Sequence, residues 1–540
     1  MDNLIEYLSK NNLFNFFLNK KKFNFFLNAK RNYLKIVKEQ KLNDVRKFYD
    51  QIIKVKSSDD DLNKFYVCFV INKLIQTKIF RTSFFYYLDK KKKFFFPLPK
   101  KFLLEIKKNF NVNYYLSSVA WFGVTLIFFF KFLISIINIL KIKYFESIKL
   151  KNFIHKTTYN SFSILNNYPI NNSGKIENLQ DVNFGIFNWI KSKENHKNDY
   201  LIFSSKTIKE DIFFENYAYI NNSFKLFILN TSVVKIFLYY LLITFNCLLN
   251  FLIFRFDYIV MSSEIFKSKI TKTINNKKFN FMEIWANSTY QPLWIEKLEN
   301  KENFSSIIIF NHLIEEIGSG NENSDQYDIG GFCRMNWKNF YVWNVQSKKY
   351  LERKFFEKKN IVVSNFFITN NNKFKNPIID KNKRVSAFIY EDHKLAYGIS
   401  PTADYMQYTK LKFGVNVEHQ FLLDLIEMSN SFDFIVCLKR KRKMPKDLQF
   451  KKNENFIRKL NFNKNLYLID PECSPVDLIQ NTKINISLPF TSTGFLGKNF
   501  TINSIYYDPY NWVSANDTAN AGVQTVKGKK KLQEWLSKHF

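Results

Sequence analysis

Residues Ile484 to Lys498, INISLPFTSTGFLGK, bring together residue types that suit an anion. An apolar strand runs into Pro489 and Phe490; three hydroxyl residues follow, Thr491, Ser492 and Thr493, then Gly494, and then a helix. Unpaired amide hydrogens and the positive end of the helix dipole face such a loop, and the hydroxyls add donors, so a diphosphate suits it. The bland reading of the same Ser and Thr is a helix cap. A second strand, Phe432 to Leu438, delivers Lys439, Arg440 and Lys441 at its carboxyl end, where guanidinium and ammonium groups neutralise phosphate charge, although a run of cations is also what a solvated surface shows. A third strand ends on Asp470, Pro471 and Glu472, which either hold a ribose or base or cap the helix beginning near Ser474.

Proton abstraction from an acceptor hydroxyl needs a carboxylate or an imidazole close to it. Two clusters fit: His312, Glu315 and Glu316 follow an apolar strand at Ser305 to Phe310, and Glu391, Asp392 and His393 follow a strand at Arg384 to Tyr390. Each of these residues also reads as a solvated loop group. No HExxH, GxSxG, Walker A or CxxC pattern occurs, so metalloprotease, hydrolase, ATPase and zinc-site chemistry find no support, and no metal is expected. Asp59-Asp60-Asp61 contains a DxD, but after two serines and before a helical pattern it reads as a cap.

The elements that must hold these residues alternate. In the last third of the chain the pattern predicts strands at 384–390, 432–439, 466–469, 484–488 and 504–507, with helices at 417–428, 454–460 and 475–481, another from Pro489, and a last one at 529–539. Short buried strands alternating with helices form a doubly wound parallel sheet, whose ligands sit beyond the strands' carboxyl ends. A looser series precedes it, with strands at 199–205, 258–262, 305–310 and 361–363 and helices at 208–219, 292–300 and 345–358. A polar stretch, 370–383, marks the boundary between the two. The resulting division is a basic helical region over 1–113, a hydrophobic helix over 114–140, a Rossmann-like domain over 141–375 that contains a second hydrophobic helix at 233–256, another Rossmann-like domain over 380–528, and a terminal helix.

Val119 to Leu140, broken only by Lys131, and Ile236 to Phe254 approach the roughly 20 residues that a spanning helix requires. Two crossings, helices bedded on one leaflet, or a buried soluble pair all fit them, because both flanks of the first are basic. The chain has 540 residues and a formal charge of +34, which favours polyanionic partners such as anionic lipids or phosphorylated substrates. No RNP-type, zinc-finger or recognition-helix signature accompanies that charge, so no nucleic-acid partner is expected. Five scattered cysteines without a CxxC pair point to a reducing compartment, and Lys20 to Lys22 split the first apolar clusters, so no signal peptide is expected at the start.

LPFTSTG followed by SIYYDP, and preceded by CLKRKRK and IDPECSPVDLI, resembles the bacterial polysaccharide-biosynthesis proteins of the PFTS-motif family. Pro97-Leu98-Pro99-Lys100, Gln291-Pro292-Leu293-Trp294 and Tyr341-Val342-Trp343-Asn344 add to the resemblance, which runs from about residue 90 to the end. It implies an α/β protein of two Rossmann-like domains, GT-B-like, with two membrane-associated helices: a glycosyltransferase of capsule or surface-glycan assembly on the cytoplasmic face of the bacterial inner membrane. The donor would be a nucleotide sugar, serving as co-substrate with no other cofactor, and the acceptor a glycan or a lipid-linked glycan. Tyr507 and Asp508 join Asp470 and Glu472 as nucleotide-binding candidates. Many GT-B enzymes carry a Glu shortly after the glycine of this loop, whereas this chain reads Phe495-Leu496-Gly497-Lys498-Asn499, which leaves UDP, GDP and CMP sugars open. A nucleotide-sugar epimerase and a non-catalytic membrane-bound assembly protein are the alternative readings.

Overall fold

The computed structural model describes residues 51–52, 55, 61–75, 93–145, 161–168, 199–204, 212–213, 217–219, 224–272, 278–284, 290–298, 304–309, 335–354, 357–364, 380–389, 415–440, 451–471, 473–489, 491–500, 502–511 and 520–540. A helical module comes first: α1 (Asp61–Val70) runs into a π-helical turn (Ile71–Ile75), and α2 (Lys100–Lys107) starts directly after Pro99. Its core joins Phe65, Val70, Phe94, Phe102 and Ile106, and Trp121 of the long helix α3 (Tyr114–Phe145) closes it.

The first sheet follows. Its elements are β1 (Ser161–Tyr168), β2 (Asp199–Ser204), β3 (Ile212–Phe213), β4 (Tyr217–Tyr219), α4 (Lys225–Asn230), α5 (Val233–Leu252), α6 (Phe256–Thr271), β5 (Lys278–Ile284), α7 (Leu293–Glu296), β6 (Phe304–Ile309), β7 (Asn339–Val342), α8 (Val345–Lys354) and β8 (Asn360–Val363). The strand order is β3-β4-β2-β1-β5-β6-β7-β8, parallel throughout except for the β3–β4 pair.

Two expectations fail here. The stretch 208–219 was expected as a helix, yet its described residues form the strands β3 and β4, where aromatic side chains favour extended backbone. The expected strand 258–262 lies inside α6. A short apolar run does not distinguish a buried strand from a buried helix, and α6 is buried on two sides: Ile259 faces the core of the first sheet, Val260 and Met261 that of the N-terminal module.

The second sheet comprises β9 (Arg384–Ile389), α9 (Val415–Phe432), β10 (Ile435–Arg440), α10 (Lys451–Leu460), β11 (Leu466–Ile469), α11 (Pro475–Gln480), β12 (Ile484–Ser487), α12 (Ser492–Asn499), β13 (Asn503–Asp508), β14 (Gln524–Lys527) and α13 (Lys529–Leu536). All six strands are parallel, in the order β11-β10-β9-β12-β13-β14. From β9 the chain winds outward to β11, then returns to the other side of β9 at β12 and winds outward again. That reversal is a topological switch point, where a doubly wound sheet opens a crevice at its carboxyl edge. β10 and β12 are buried along nearly their whole length, as strands covered on both faces must be. Phe421, Leu425, Leu532 and Leu536 of α9 and α13 cover one face, and α12 lies on the other.

Candidate functional site

The PFTS segment leaves β12 at the switch point. Ser487, the last residue of that strand, pairs with Phe388 of β9 on one side and Tyr506 of β13 on the other, so the chain leaves β12 at the carboxyl edge beside the end of β9. α12 then starts with Thr491 as its N-cap, in extended geometry (φ −80°, ψ 145°) and with no side-chain cap. Among the described residues no hydrogen bond reaches the amides of Ser492 or Thr493, the orphan donors of a helix start.

The hydroxyls divide. Thr491 Oγ1 donates to the Leu488 carbonyl (3.0 Å), is 3.1 Å from Thr493 Oγ1, and Thr493 Oγ1 is 2.9 Å from Ser487 Oγ. Each hydroxyl has one hydrogen. With that of Thr491 on Leu488, Thr493 must donate to Thr491 and Ser487 to Thr493. The chain runs inward and uses up the hydrogens of both threonines. Ser492 is half-buried and its hydroxyl has no partner among the described residues, so of the three it is the one left to donate outward.

Three further side chains anchor this turn. The Tyr506 hydroxyl donates to the Thr491 carbonyl (2.8 Å), Asn485 Nδ2 to the Thr493 carbonyl (2.9 Å) and Ser504 Oγ to the Gly494 carbonyl (2.7 Å). Asn485 is wholly buried; its Nδ2 also donates to Ser504 (2.8 Å), and its Oδ1 accepts from Ser386 (3.1 Å). A Cβ on Gly494 would lie 2.2 Å from the Tyr506 ring, and one on Gly497 would lie 2.5 Å from Asn485 Nδ2. The glycines of the motif are therefore set by close approach of α12 to β12 and β13. Sequence reasoning passed over Asn485, Ser504 and Tyr506; the signal was the alternation of the strands, which turns these residues toward α12.

Other expected ligands are placed differently. Lys439 is 5 % exposed, and its ammonium is engaged with the backbone carbonyls of Arg440 (3.1 Å) and Pro471 (2.8 Å), so it ties β10 to the turn after β11 rather than reaching for a phosphate. Arg440 is half-buried at the end of β10, and Asp470 is exposed at the end of β11, both at the carboxyl edge. The cap of α11 is Ser474, whose hydroxyl accepts from Asp477 N (3.3 Å). Tyr507 is 0 % exposed and turns to the opposite face of the sheet, where its hydroxyl donates to the buried Asp424 of α9 at 2.6 Å. Burial, and then the Asp424 carboxylate, push the phenol far above its usual range. Tyr507 is thus a core residue and not a nucleotide contact. Asp508 is buried, and its carboxylate accepts from Tyr510 N (3.2 Å) in the turn after β13, a structural use of a residue expected to touch nucleotide. Pro489 is buried. Lys441, Glu472, Phe490, His312, Glu315, Glu316, Glu391, Asp392 and His393 lie outside the described residues. Cys473, beside the same edge, has its thiol pushed up to about 11 by burial, which leaves it an inert thiol at neutral pH.

One contact links the sheets at this edge. Trp343, the residue after β7, sets its ring 6.3 Å from that of Phe495 in α12, and both are buried. A residue at the carboxyl end of β7 in the first sheet thus touches the helix that follows the PFTS turn in the second, and each sheet is of the mostly parallel, Rossmann-like kind. Among the described residues, no three His, Cys, Asp or Glu side chains converge as a metal site would require.

The profile of the family described as polysaccharide biosynthesis PFTS motif protein matches residues 247–536. The chain belongs to this family. The match takes in the second half of the first sheet and nearly all of the second, and so contains the turn, its anchors and the Trp343–Phe495 contact. A search of curated proteins finds no match. Among solved structures the PFTS-motif chain is similar to a trehalose-6-phosphate synthase (7% identity over 70% of this chain and 90% of that one, TM-score 0.36) and to the wall teichoic acid polymerase TagF (9%, 76% and 88%, TM-score 0.34). It is also similar to Anabaena HepE in complex with UDP and glucose (8%, 70% and 89%, TM-score 0.32). At TM-scores this low, the family assignment rests on the residues matched, and the architecture on the two sheets themselves.

Proposed function

We propose that this PFTS-motif protein is a glycosyltransferase that moves a sugar from a nucleotide-sugar donor to a membrane-proximal or lipid-linked glycan acceptor in surface-polysaccharide synthesis. The observation that carries the reading is the position of the PFTS turn. It sits at the switch point of a 3-2-1-4-5-6 sheet and offers two helix-start amides and the Ser492 hydroxyl at the carboxyl edge. Those groups suit a diphosphate: amide donors pre-oriented by the buried Asn485 and Tyr506 and the half-buried Ser504 lose little entropy on binding and stabilise the charge that grows on the leaving nucleotide. Arg440 lies on the same edge and can supply a cation.

The acceptor base comes from one of two clusters in the sequence. Glu391 and Asp392 follow β9, the strand on the other side of the switch point, and His312, Glu315 and Glu316 follow β6 in the first sheet. In either place a carboxylate or imidazole can take the acceptor hydroxyl's proton as the nucleotide departs. A thermal-shift screen of the full chain against UDP, GDP and CMP sugars tests the donor, since a ligand bound only by the folded state raises the melting temperature. A rise with one sugar nucleotide, followed by its turnover only when membrane extract supplies acceptor, is the expected result. No shift with any of them removes the reading; turnover of the sugar without acceptor would favour an epimerase.

A further inference from the structure

α3 and α5 are apolar over lengths that cross a bilayer, 31 residues (Tyr114–Tyr144) and 20 residues (Val233–Leu252). They run antiparallel. The ring of Phe122 lies 5.4 Å from that of Phe251, Phe132 stacks on Tyr240 at 5.1 Å, and Lys143 donates to the Thr231 carbonyl at 2.8 Å. α5 buries only a stripe, Ile236, Tyr240, Ile243 and Cys247. Most of its remaining surface is exposed and apolar, including Phe237, Leu238, Leu241, Leu242, Phe245 and Leu248. On α3 the exposed side carries Phe130, Ile134 and Ile137. A continuous apolar face of this kind is not stable against water.

The way these helices are held argues against their crossing. The N-terminal module precedes α3, and the first sheet follows it. If α3 spanned a bilayer, about 30 Å of hydrocarbon would separate the two. They share a core instead. Phe65 and Phe69 of α1 lie 6.4 Å and 5.6 Å from the Tyr290 ring, and Leu293 belongs to the same cluster. The next residue, Trp294, packs against Phe227 of α4 (5.4 Å) and Phe281 of β5 (5.8 Å). α4 in turn gives the carbonyls of Ile228 and Leu229 to Lys143, near the far end of α3. Both ends of α3 are therefore fixed to one folded body. Lys131 is exposed near the middle of α3, where a crossing helix would carry it to the bilayer centre and a bedded one lets it reach the headgroups.

We infer that α3 and α5 form a monotopic seat, entering one leaflet side by side without crossing it, with the N-terminal module and both sheets on the same side. The occupant of the apolar face is an anionic bilayer. Lys141 and Lys235 are exposed at one end of the pair, set to meet acidic headgroups, and the whole chain carries +34. The inference rests on the membrane-proximal part of the proposed function and not on the donor site.

Two measurements on the full chain test it. In flotation with vesicles containing phosphatidylglycerol, the chain should rise with the lipid, and the pair Leu241→Glu and Phe245→Glu should lower its partitioning by about tenfold or more. In membrane vesicles from expressing cells, turned cytoplasmic face outward, an impermeant maleimide should label Lys64→Cys and Asn230→Cys equally, above the background of the unsubstituted chain, whereas a crossing by α3 would put the two on opposite faces. Both positions are exposed, one in the N-terminal module and one at the end of α4, between the two apolar helices. Protection of either one until detergent is added would overturn the monotopic seat while leaving membrane attachment intact. Failure to float, or self-association through this face in place of lipid binding, would overturn both; neither result bears on sugar-nucleotide binding.

Discussion

Ser492 and Thr493 are neighbours in the same motif, yet the geometry gives them different work. Thr493 hands its hydrogen to Thr491 and receives one from the wholly buried Ser487, so Thr493→Ala breaks a hydrogen-bonded chain and should cost about 1–3 kcal/mol of stability. Ser492 has no such duty. Ser492→Ala should leave the denaturant midpoint nearly unchanged and weaken sugar-nucleotide binding by about tenfold, the loss of one hydrogen bond to a charged group, as calorimetric titration would read. Equal destabilisation by both substitutions would show that the hydroxyl chain is assigned wrongly. Cys473 gives an independent check at this scale: with its thiol pushed up to about 11, alkylation of the folded chain at pH 8 should be far slower at Cys473 than for a free thiol, as peptide mass spectrometry can follow.

At the scale of elements, adjacent tyrosines on β13 serve opposite faces. Tyr506 holds the PFTS turn and packs on Gly494, while Tyr507 donates to Asp424 under α9. Tyr507→Phe should leave the Asp424 oxygen without its donor and lower stability by about 1–3 kcal/mol, with sugar-nucleotide affinity unaltered. Gly494→Ala should be destabilising by about 1–3 kcal/mol, because the added methyl meets an aromatic ring and neither neighbour is free to yield. Circular dichroism melts and titrations of the same variants separate the two effects. This is also where the sequence was least legible. The pair Tyr-Tyr does not say which ring faces the ligand side, since a one-residue slip in a strand exchanges its faces. The order of strands and helices from β9 to β13 was legible, because each is a short apolar run bounded by polar or Pro-containing turns. β14, a strand of four residues with Gln and Lys in it, carried too little apolar pattern to be read, and α6 presented an apolar run that strand and helix share.

On the scale of the whole molecule, the fold joins three things that are remote in sequence: an apolar helix pair, a sheet that carries it, and a second sheet that touches the first through Trp343 and Phe495. A donor site on the second sheet of a body seated at a membrane would deliver its sugar to acceptors held near the lipid surface. The charge of +34 belongs to the same picture, and an attachment to anionic lipid would be salt-dependent: raising ionic strength shortens the reach of the lysines to about 8 Å at physiological salt and less above it, so flotation with anionic vesicles should fall as salt rises while sugar-nucleotide binding changes less. Whether the PFTS turn receives a nucleotide's phosphates is read by titration calorimetry of the full chain and of Ser492→Ala with UDP, GDP and CMP sugars. Saturable binding of one of these by the full chain, and about tenfold weaker binding by the variant at unchanged stability, is the expected result. Binding of equal strength in both, or of none to either, would contradict it.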